Sequence, residues 1–379
     1  MNILDMANSF EMHICNKADL NNIPIGATFE LIPTCNMNCK MCYVRISQKE
    51  MIKQGGYLPK ERWFQFLESA QKAGTLFLLL TGGEPLLHPD FREIYLKAKS
   101  LGFVVCVNTN GTLIDKEMAE FFAQNASRRL NISIYGSSNE TYYHLCNNPT
   151  GFDQFNNSIQ LLKQRKVPIK LNCSLTPQNY HELDEMILYA KHNDLKIDVI
   201  SYMFPPHRKS ENNLNLENRL SIEQQVKARI QYEQSISNKN DFIQKAKSIV
   251  YCLENDIELP AKKPNIGFTC RSGSSTYWIN WQGMMIPCGM FDKPKIDLKD
   301  ITIEQAFQSL VLEVKKLKRA NKCYQCKKEY ICQICPAATV AETGRFDGVS
   351  EHHCSACDLY INEMKKYLKD NHISLEEDV

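Results

Sequence analysis

The stretch that decides the fold is Thr34–Arg45, which reads T-C-N-M-N-C-K-M-C-Y-V-R. It places Cys35, Cys39 and Cys42 in a C-x₃-C-x₂-C spacing, directly after the short apolar run at 29–32. Three thiolates on one loop can hold three corners of an iron–sulfur cluster, whereas cluster motifs normally supply four cysteines. No fourth cysteine follows for a long way, so the spacing leaves one iron open to a ligand. A zinc site is the alternative, but zinc sites favour C-x₂-C pairs that close to four ligands.

This triplet, with Tyr43 directly after its last cysteine, resembles the signature of the radical S-adenosylmethionine (radical SAM) enzymes. The resemblance implies that the open iron of a [4Fe–4S] cluster binds the amino and carboxylate groups of the cofactor's methionine part. An electron from the reduced cluster then splits the sulfonium and releases a 5′-deoxyadenosyl radical, which removes hydrogen from a substrate. In such enzymes the cofactor carries the difficult chemistry, and the protein supplies binding, orientation and exclusion of water.

Length and charge narrow the class of protein. The chain has 379 residues, enough for one large domain and a small one, and a formal net charge of +2. That charge gives no basic field to attract nucleic acid. No run approaches the roughly 20 apolar residues of a membrane span, and residues 1–23 contain no signal-peptide pattern. We therefore expect a soluble cytoplasmic protein.

From Thr28 onward, short apolar runs alternate with amphipathic helical patterns, as in the helix around 89–101. Strand-like runs rich in Val, Ile and Leu lie at 29–32, 76–81, 104–108, 130–135, 169–175 and 197–201. Apolar strands that alternate with helices indicate a parallel sheet. Six such units fit a partial (β/α)₆ barrel, open on one side, so the expected fold class is α/β.

The loops after the strands carry the polar residues, and α/β barrels build their sites there. The loop after the second strand reads Gly82-Gly83-Glu84-Pro85, which resembles the family's G-G-E-P motif. The resemblance implies that this loop grips the amino group of the cofactor. Glycines allow close approach of the backbone, and a carboxylate with loop carbonyls can accept hydrogen bonds from an ammonium group.

Two further loops are expected to complete the cofactor site. Asn108 and Asn110 follow the third strand in a sequence similar to the family's T-N-G. The resemblance implies that they contact the sugar and the methionine part of the cofactor. Asn110 with its glycine is equally typical of an ordinary turn. Ser133 ends the fourth strand and would contact the carboxylate. Tyr135 replaces an acidic residue of the relatives, and the dipeptide at 146–147 lies where many relatives place an arginine. The partner of the carboxylate is therefore left open.

Cysteines gather again in the C-terminal part. One pair brackets a predicted hairpin whose turn lies at 281–283, and C-x₂-C-x₅-C-x₂-C and C-x₂-C groups follow. This pattern resembles the SPASM extension of radical SAM enzymes, which holds auxiliary iron–sulfur clusters. It departs from that pattern in one spacing, x₂ in place of x₃, and in one extra cysteine. Zinc is the alternative, because C-x₂-C pairs suit tetrahedral zinc.

The resemblance also implies a ligand set for two auxiliary clusters. One cluster would use Cys323, Cys326, Cys332 and Cys354. The other would use Cys270, Cys288 and Cys335, with either Cys357 or no residue as its fourth ligand.

The expected organisation has five parts. They are a short N-terminal segment (1–27), the radical SAM partial barrel (28–201), a bridging helical segment (202–268), a small SPASM domain with a β-hairpin (269–360) and a C-terminal tail (361–379), of which the polar part from Lys365 is expected to fray. The short first segment leaves no room for the winged-helix module with which many peptide-modifying relatives capture a leader peptide.

Together these features predict a radical SAM oxidoreductase that matures a ribosomally made peptide by a thioether or carbon–carbon crosslink, or by an oxidation. The auxiliary clusters would accept the second electron. The expected partners are a peptide or protein substrate, an external electron donor such as ferredoxin or flavodoxin, and a separate leader-peptide-binding protein. The sequence singles out no catalytic base.

Two other hypotheses belong to different functions. An anaerobic sulfatase-maturing enzyme, which generates formylglycine, is the first. Members of that family tend to place an Asp directly after the second cysteine of the hairpin, where this chain has Gly289. A zinc-binding scaffold without catalysis is the second, and the intact cysteine triplet and the G-G-E-P loop argue against it.

Overall fold

Six parallel strands form the wall of an open barrel. The computed structural model describes residues 3–205, 216–255, 265–291, 293–332 and 334–375. The strands are β1 (Gly26–Glu30), β2 (Phe77–Thr81), β3 (Val104–Thr109), β4 (Arg129–Ile134), β5 (Ile169–Ser174) and β6 (Lys196–Ile200). Each pairs in parallel with the next along the chain, which confirms the expected α/β partial barrel.

Helices accompany these strands, and most of them bury an apolar stripe. They are α1 (Ile3–Asn21), α2 (Gln48–Lys53), α3 (Lys60–Lys72), α4 (Phe91–Ser100), α5 (Lys116–Gln124), α6 (Asn139–Cys146), α7 (Gly151–Gln164) and α8 (Leu183–His192). In α4, for example, the buried residues are Phe91, Ile94, Tyr95 and Ala98, spaced three or four apart. Burying each large apolar side chain contributes about 1.5–3 kcal/mol.

The predicted hairpin is present, and it extends the barrel sheet. Its strands are β7 (Thr276–Ile279) and β8 (Met284–Ile286), and the short β9 (Ile296–Asp297) follows. Strand β7 pairs in parallel with β1, so the sheet order is β6-β5-β4-β3-β2-β1-β7-β8-β9. The indole Nε1 of Trp278 donates to Glu30 Oε2 at 3.0 Å across this junction. Strand β1, which leads into the cysteine loop, therefore lies between the barrel and the hairpin.

A second, helical core packs beside the barrel. The helices after the barrel strands are α9 (Ile222–Ile236), α10 (Lys239–Glu254), α11 (Ile303–Lys315), α12 (Asn321–Tyr324), α13 (Glu329–Cys332), α14 (Pro336–Thr343) and α15 (Glu351–Asp370), of which α11 packs into the barrel core. Helices α9, α10 and α15 share one buried cluster that includes Val226, Phe242, Ala246, Tyr360 and Met364. The two bridging helices expected before residue 268 are thus present, and they pack onto the C-terminal helix.

The C-terminal tail differs from the expectation. We expected the polar residues from Lys365 onward to fray, but α15 continues to Asp370. The reason is an apolar stripe that the polar composition obscures, since Ile361, Met364 and Leu368 are all buried at helical spacing. In the part of the chain that the structure describes, no helix is long and apolar enough to cross a membrane. The division into five domains stays a prediction.

Candidate active site and iron–sulfur centres

The three cysteines of the loop that follows β1 line one cavity. Cys35, Cys39 and Cys42 line a space of about 260 Å³ at the carboxyl ends of the barrel strands. Five of the expected cofactor residues line the same space: Gly82, Gly83, Asn108, Asn110 and Ser133. Loops that are far apart in sequence meet here because parallel strands end at the same edge of the sheet.

The thiols are presented for metal binding by the local backbone. Cys35 Sγ accepts a hydrogen bond from the Met37 amide at 3.4 Å, and Cys42 Sγ accepts one from the Arg45 amide at 3.3 Å. Burial, followed by the nearby Glu84 carboxylate, raises the pKa of Cys35 to about 12. The free thiol is therefore protonated at neutral pH, and a bound metal must displace that proton. Amide donors to sulfur tune a cluster's potential, so this loop fits an iron–sulfur cluster.

In the described residues, no group of three or more His, Cys, Asp or Glu side chains is gathered tightly enough to hold a single metal ion. An iron–sulfur cube does not require such gathering, because each cysteine binds a different iron atom of the cluster. The arrangement of Cys35, Cys39 and Cys42 is compatible with that mode of binding.

Gly82 and Gly83 let two loops touch backbone to backbone. A Cβ at Gly82 would lie 2.4 Å from the carbonyl oxygen of Ile32, and one at Gly83 would lie 2.3 Å from that of Thr34. The Gly83 amide donates to Ile32 O at 2.7 Å, and the Glu84 amide donates to Thr34 O at 2.9 Å. No other residue type fits at this contact, which holds the start of the cysteine loop against the second strand's loop.

Glu84 lies behind the wall of the cavity. Its carboxylate is fully buried and does not line the cavity. Oε1 accepts from Thr109 Oγ1 at 2.8 Å and from the Leu86 amide at 3.2 Å, while Oε2 accepts from the Asn110 amide at 2.8 Å. Burial raises its pKa to about 7. Glu84 thus joins the loops after β2 and β3, and its expected role toward the amino group of the cofactor stays a prediction.

Pro85 also lies outside the cavity lining. It is the first residue of a short 3₁₀-helix, Pro85–Leu87, where its fixed φ and missing amide suit a helix start. Of the four residues in the G-G-E-P loop, the two glycines face the cavity and the last two hold the loop in shape.

The asparagines connect the cavity wall to the cysteine loop. Asn110 Nδ2 donates to Asn36 Oδ1 at 2.9 Å and approaches Cys35 Sγ at 3.6 Å. Asn108 Oδ1 accepts from Asn131 Nδ2 at 2.8 Å, which fixes the side-chain orientation. Ser133 hydrogen-bonds the Tyr135 side chain at the same wall. Their roles toward a cofactor stay predictions.

The C-terminal cysteines also come together. A cavity of about 400 Å³ is lined by Cys323, Cys326, Cys332 and Cys354, the four expected for one auxiliary cluster, and also by Cys270, which was expected in the other set. The other expected set is close together as well: burial raises the pKa of Cys288 to about 12, and the neighbouring Cys335 and Cys270 thiols add to that shift. The fold therefore gathers these C-terminal thiols near one another, and their division into two ligand sets stays a prediction.

Cys357, the extra cysteine, lies beside the first of these groups. Its thiol hydrogen-bonds Cys332, and this contact lowers the pKa of Cys332 to about 7. It also lines, with Cys332 and Cys335, a third cavity of about 250 Å³. Cys357 therefore contacts Cys332 of one expected set and shares a cavity with Cys335 of the other, and its place as a fourth ligand stays a prediction.

Sequence reasoning missed Tyr202, which lines both the first cavity and the third. Its hydroxyl donates to Glu342 Oε1 at 2.6 Å, and Arg219 pairs with the same carboxylate. The ring lies 4.6 Å from that of His353. No spacing rule could have joined these residues, because they come from three distant parts of the chain.

Comparison with known proteins agrees with this fold. Residues 29–190 match the model of the Radical SAM superfamily. Among curated proteins, the AdoMet-dependent heme synthase of Methanosarcina barkeri (strain Fusaro / DSM 804) is 24% identical over 86% of this chain and 95% of its own length. The sporulation killing factor maturation protein SkfB of Bacillus subtilis (strain 168) is 28% identical over 46% of this chain. This chain spans only 42% of SkfB.

Solved structures show the same architecture along nearly the whole chain. Streptococcus suis SuiB bound to S-adenosylmethionine superimposes with a TM-score of 0.64 at 16% identity, over 93% of this chain and 81% of SuiB. Native anSMEcpe with bound AdoMet gives a TM-score of 0.68 at 18% identity, over 92% and 98% of the two chains. At such identities the likeness concerns the fold alone.

The family match covers the barrel that carries the cysteine triplet and the glycine loop. It supports S-adenosylmethionine and a [4Fe–4S] cluster as cofactors, and the cavity provides thiols and a backbone cradle that fit them. Residues 29–190 therefore carry a radical SAM domain, and a cysteine-rich region follows it.

Proposed function

We propose that this enzyme matures a ribosomally made peptide, and that its C-terminal cysteines hold two auxiliary iron–sulfur clusters. The observation that carries the proposal is the convergence of the C-terminal thiols described above, next to a barrel with its own cysteine triplet. The names of several similar proteins refer to peptide products or substrates: SkfB, the subtilosin biosynthesis protein AlbA of Bacillus subtilis (strain 168), and SuiB bound to its precursor peptide SuiA.

Within this proposal, each part of the chain has a defined task. When bound, the cluster and S-adenosylmethionine supply a 5′-deoxyadenosyl radical that removes a hydrogen atom from the substrate. Cys35, Cys39 and Cys42 hold the cluster, and the Gly82 and Gly83 backbone places the cofactor against it. Apolar side chains near the cavity mouth, including those of Met203 and Phe204, exclude water from the reacting atoms.

The proposed auxiliary ligands are Cys323, Cys326, Cys332 and Cys354 for one cluster and Cys270, Cys288 and Cys335 for the other; the fourth position of the second cluster is either Cys357 or open to substrate. Tyr202 separates the substrate cavity from the cavity beside Cys335. Forming a crosslink or an oxidised side chain would remove one more electron from the substrate radical, and clusters held by these cysteines would supply the acceptor for it. A ferredoxin or flavodoxin delivers the first electron, and a separate protein binds the leader peptide.

The structure disfavours the formylglycine-generating alternative. A Cβ at Gly289 would lie 2.8 Å from the indole ring of Trp278, which already donates to Glu30. The acidic side chain expected at this position in sulfatase-maturing enzymes would therefore need Trp278 to move.

A second candidate activity rests on the length of one match. The heme synthase of Methanosarcina barkeri aligns with this chain over 95% of its own length, whereas AlbA and SkfB are matched over less than half of theirs. A role in heme synthesis is therefore the second proposal for the substrate, with the same cofactors in the barrel.

Anaerobic reconstitution followed by product analysis tests both proposals. The reconstituted enzyme is incubated with S-adenosylmethionine, a reductant and either a candidate precursor peptide encoded nearby or a heme precursor. A mass change in the peptide supports the first proposal, and conversion of the heme precursor supports the second. Cys39→Ala should abolish 5′-deoxyadenosine formation, while Cys332→Ala should keep that cleavage and lose the product. Normal product formation by Cys332→Ala would refute the role of the auxiliary cluster in accepting the electron.

A further inference from the structure

One cationic side chain of the cysteine loop, that of Arg45, has no role in the function proposed above. Arg45 lies three residues after Cys42 and lines the first cavity. Its amide donates to Cys42 Sγ at 3.3 Å, and its Nη1 donates to Asn38 Oδ1 at 2.9 Å. The side chain is thus anchored at its base and at one end of the guanidinium, beside the third cysteine of the triplet.

The remaining donors of Arg45 lack an acceptor within the described chain. Its Nε is buried and makes no hydrogen bond, and no described carboxylate forms an ion pair with its guanidinium. Buried polar groups in folded proteins are almost always hydrogen-bonded, and buried charges are paired. Because Nε is shielded from solvent, a ligand in the cavity can reach Arg45 only through the rest of its guanidinium, which has no described carboxylate partner.

The rest of the cavity offers no competing cation. Among the described residues that line it, Arg45 is the one Lys, Arg or His side chain, and no Asp or Glu lines it. The other polar groups, such as Asn108, Asn110 and Ser133, are neutral. A ligand anion entering this space therefore meets its opposite charge at Arg45, whose planar fork matches a carboxylate.

S-adenosylmethionine carries one such anion, the carboxylate of its methionine part, whereas its ammonium and sulfonium groups would be repelled by a guanidinium. Ser133, the residue expected from the sequence to meet this carboxylate, has no charge with which to neutralise it. We propose that Arg45 binds the carboxylate of S-adenosylmethionine and so acts as a positioning residue for the cofactor. The proposed contact involves the cofactor alone, so it does not depend on which substrate the enzyme modifies.

A comparison of two ligands with two variants tests the assignment without turnover. The ligands are S-adenosylmethionine and decarboxylated S-adenosylmethionine, and their dissociation constants are measured calorimetrically on anaerobically reconstituted enzyme of known iron content. Arg45→Gln removes the charge, and Lys49→Gln, at an exposed position four residues away, is the matched control. Loss of a charge-assisted hydrogen bond weakens binding by about 10- to 100-fold.

We expect Arg45→Gln to weaken the binding of S-adenosylmethionine by that factor and to leave the dissociation constant of the decarboxylated ligand unchanged. Lys49→Gln should change neither dissociation constant. The spectral change of the reduced cluster on cofactor addition should need correspondingly more cofactor. If Arg45→Gln assembles less cluster, Arg45→Lys provides the second test, since it keeps the charge and should lose only part of the preference for the carboxylate ligand. Equal weakening of both ligands, or wild-type binding of both by Arg45→Gln, would overturn the assignment.

Discussion

Replacing Gly83 by alanine should separate two loops that meet at the cysteine triplet. The new Cβ would lie 2.3 Å from Thr34 O, 2.6 Å from the Thr34 carbonyl carbon and 2.7 Å from Pro33 O. Ordinary contacts begin near 3.4 Å, so the two backbones must move apart by about 1 Å. All three neighbours are backbone atoms, which cannot move aside by a change of rotamer.

That shift has a cost in stability that can be worked out from the same contact. The Gly83–Ile32 and Glu84–Thr34 backbone hydrogen bonds, 2.7 and 2.9 Å long, cross the contact. Lengthened by about 1 Å, both exceed hydrogen-bond range. Each contributes about 1 kcal/mol net, so the free energy of unfolding should fall by about 2 kcal/mol, with strain adding to that loss.

The same movement displaces Cys35, which directly follows Thr34. A misplacement of about 1 Å at a reacting centre costs about 100-fold in rate, so 5′-deoxyadenosine formation by Gly83→Ala should fall by about that factor. The assay is anaerobic reconstitution, iron analysis and quantification of 5′-deoxyadenosine, together with urea denaturation. Gly26→Ala is the control, since its Cβ would come closer than ordinary contact only to the methyl group of the Thr276 side chain, at 3.0 Å, and would stay 4.0 Å from Phe77 O. Wild-type iron content and cleavage rate in Gly83→Ala would show that the close backbone contact is not needed.

Two further predictions concern buried charges. Because burial raises the folded-state pKa of Glu84 from 4.5 to about 7, the folded protein binds one more proton than the unfolded chain between these pH values. The contribution of Glu84 to the free energy of unfolding should therefore fall by about 3 kcal/mol as the pH rises from 4.5 to 7. Urea denaturation of the metal-free protein across this pH range should show that loss of stability. The same loss in Glu84→Gln would show that Glu84 does not cause it. Glu342→Gln should destabilise the protein by about 3 kcal/mol because it leaves Arg219 buried without its partner, whereas Asp347→Asn, in an exposed pair, should leave the denaturation midpoint unchanged.

The parts of the site that sequence could predict depend on local spacing and strand order. The cysteine loop and the loop with Gly82 and Gly83 were expected to meet, because both follow parallel strands of one barrel, and the structure brings them together. The hairpin was also readable, since its turn residues at 281–283 separate two apolar runs. These features require only a short window of sequence and the topology of a parallel sheet.

The parts that sequence could not predict depend on which way a side chain turns and on distant partners. Glu84 sits in a recognisable motif, but whether its carboxylate faces a ligand or the Asn110 amide is decided by the adjoining loop. Tyr202 acquires its position from Glu342, 140 residues away. Arg45 lies in the cysteine loop, but the proposal that it binds the cofactor depends on its unpaired guanidinium at the cavity wall, which only the structure shows. The stripe on α15 could have been found by testing helical periodicity in the polar tail.

The pairing of β1 with β7 has a consequence for how the chain is built on the ribosome. Gly26 pairs with Thr276, so about 250 further residues must be synthesised after β1 before β7 can cover its outer edge. Contacts between such distant segments form late and slowly, and an uncovered strand edge invites association with other chains. A nascent or truncated barrel that stops before the hairpin would keep that edge exposed beside the cysteine loop. Production of the isolated barrel should therefore yield aggregates, while the full-length chain covers this edge itself.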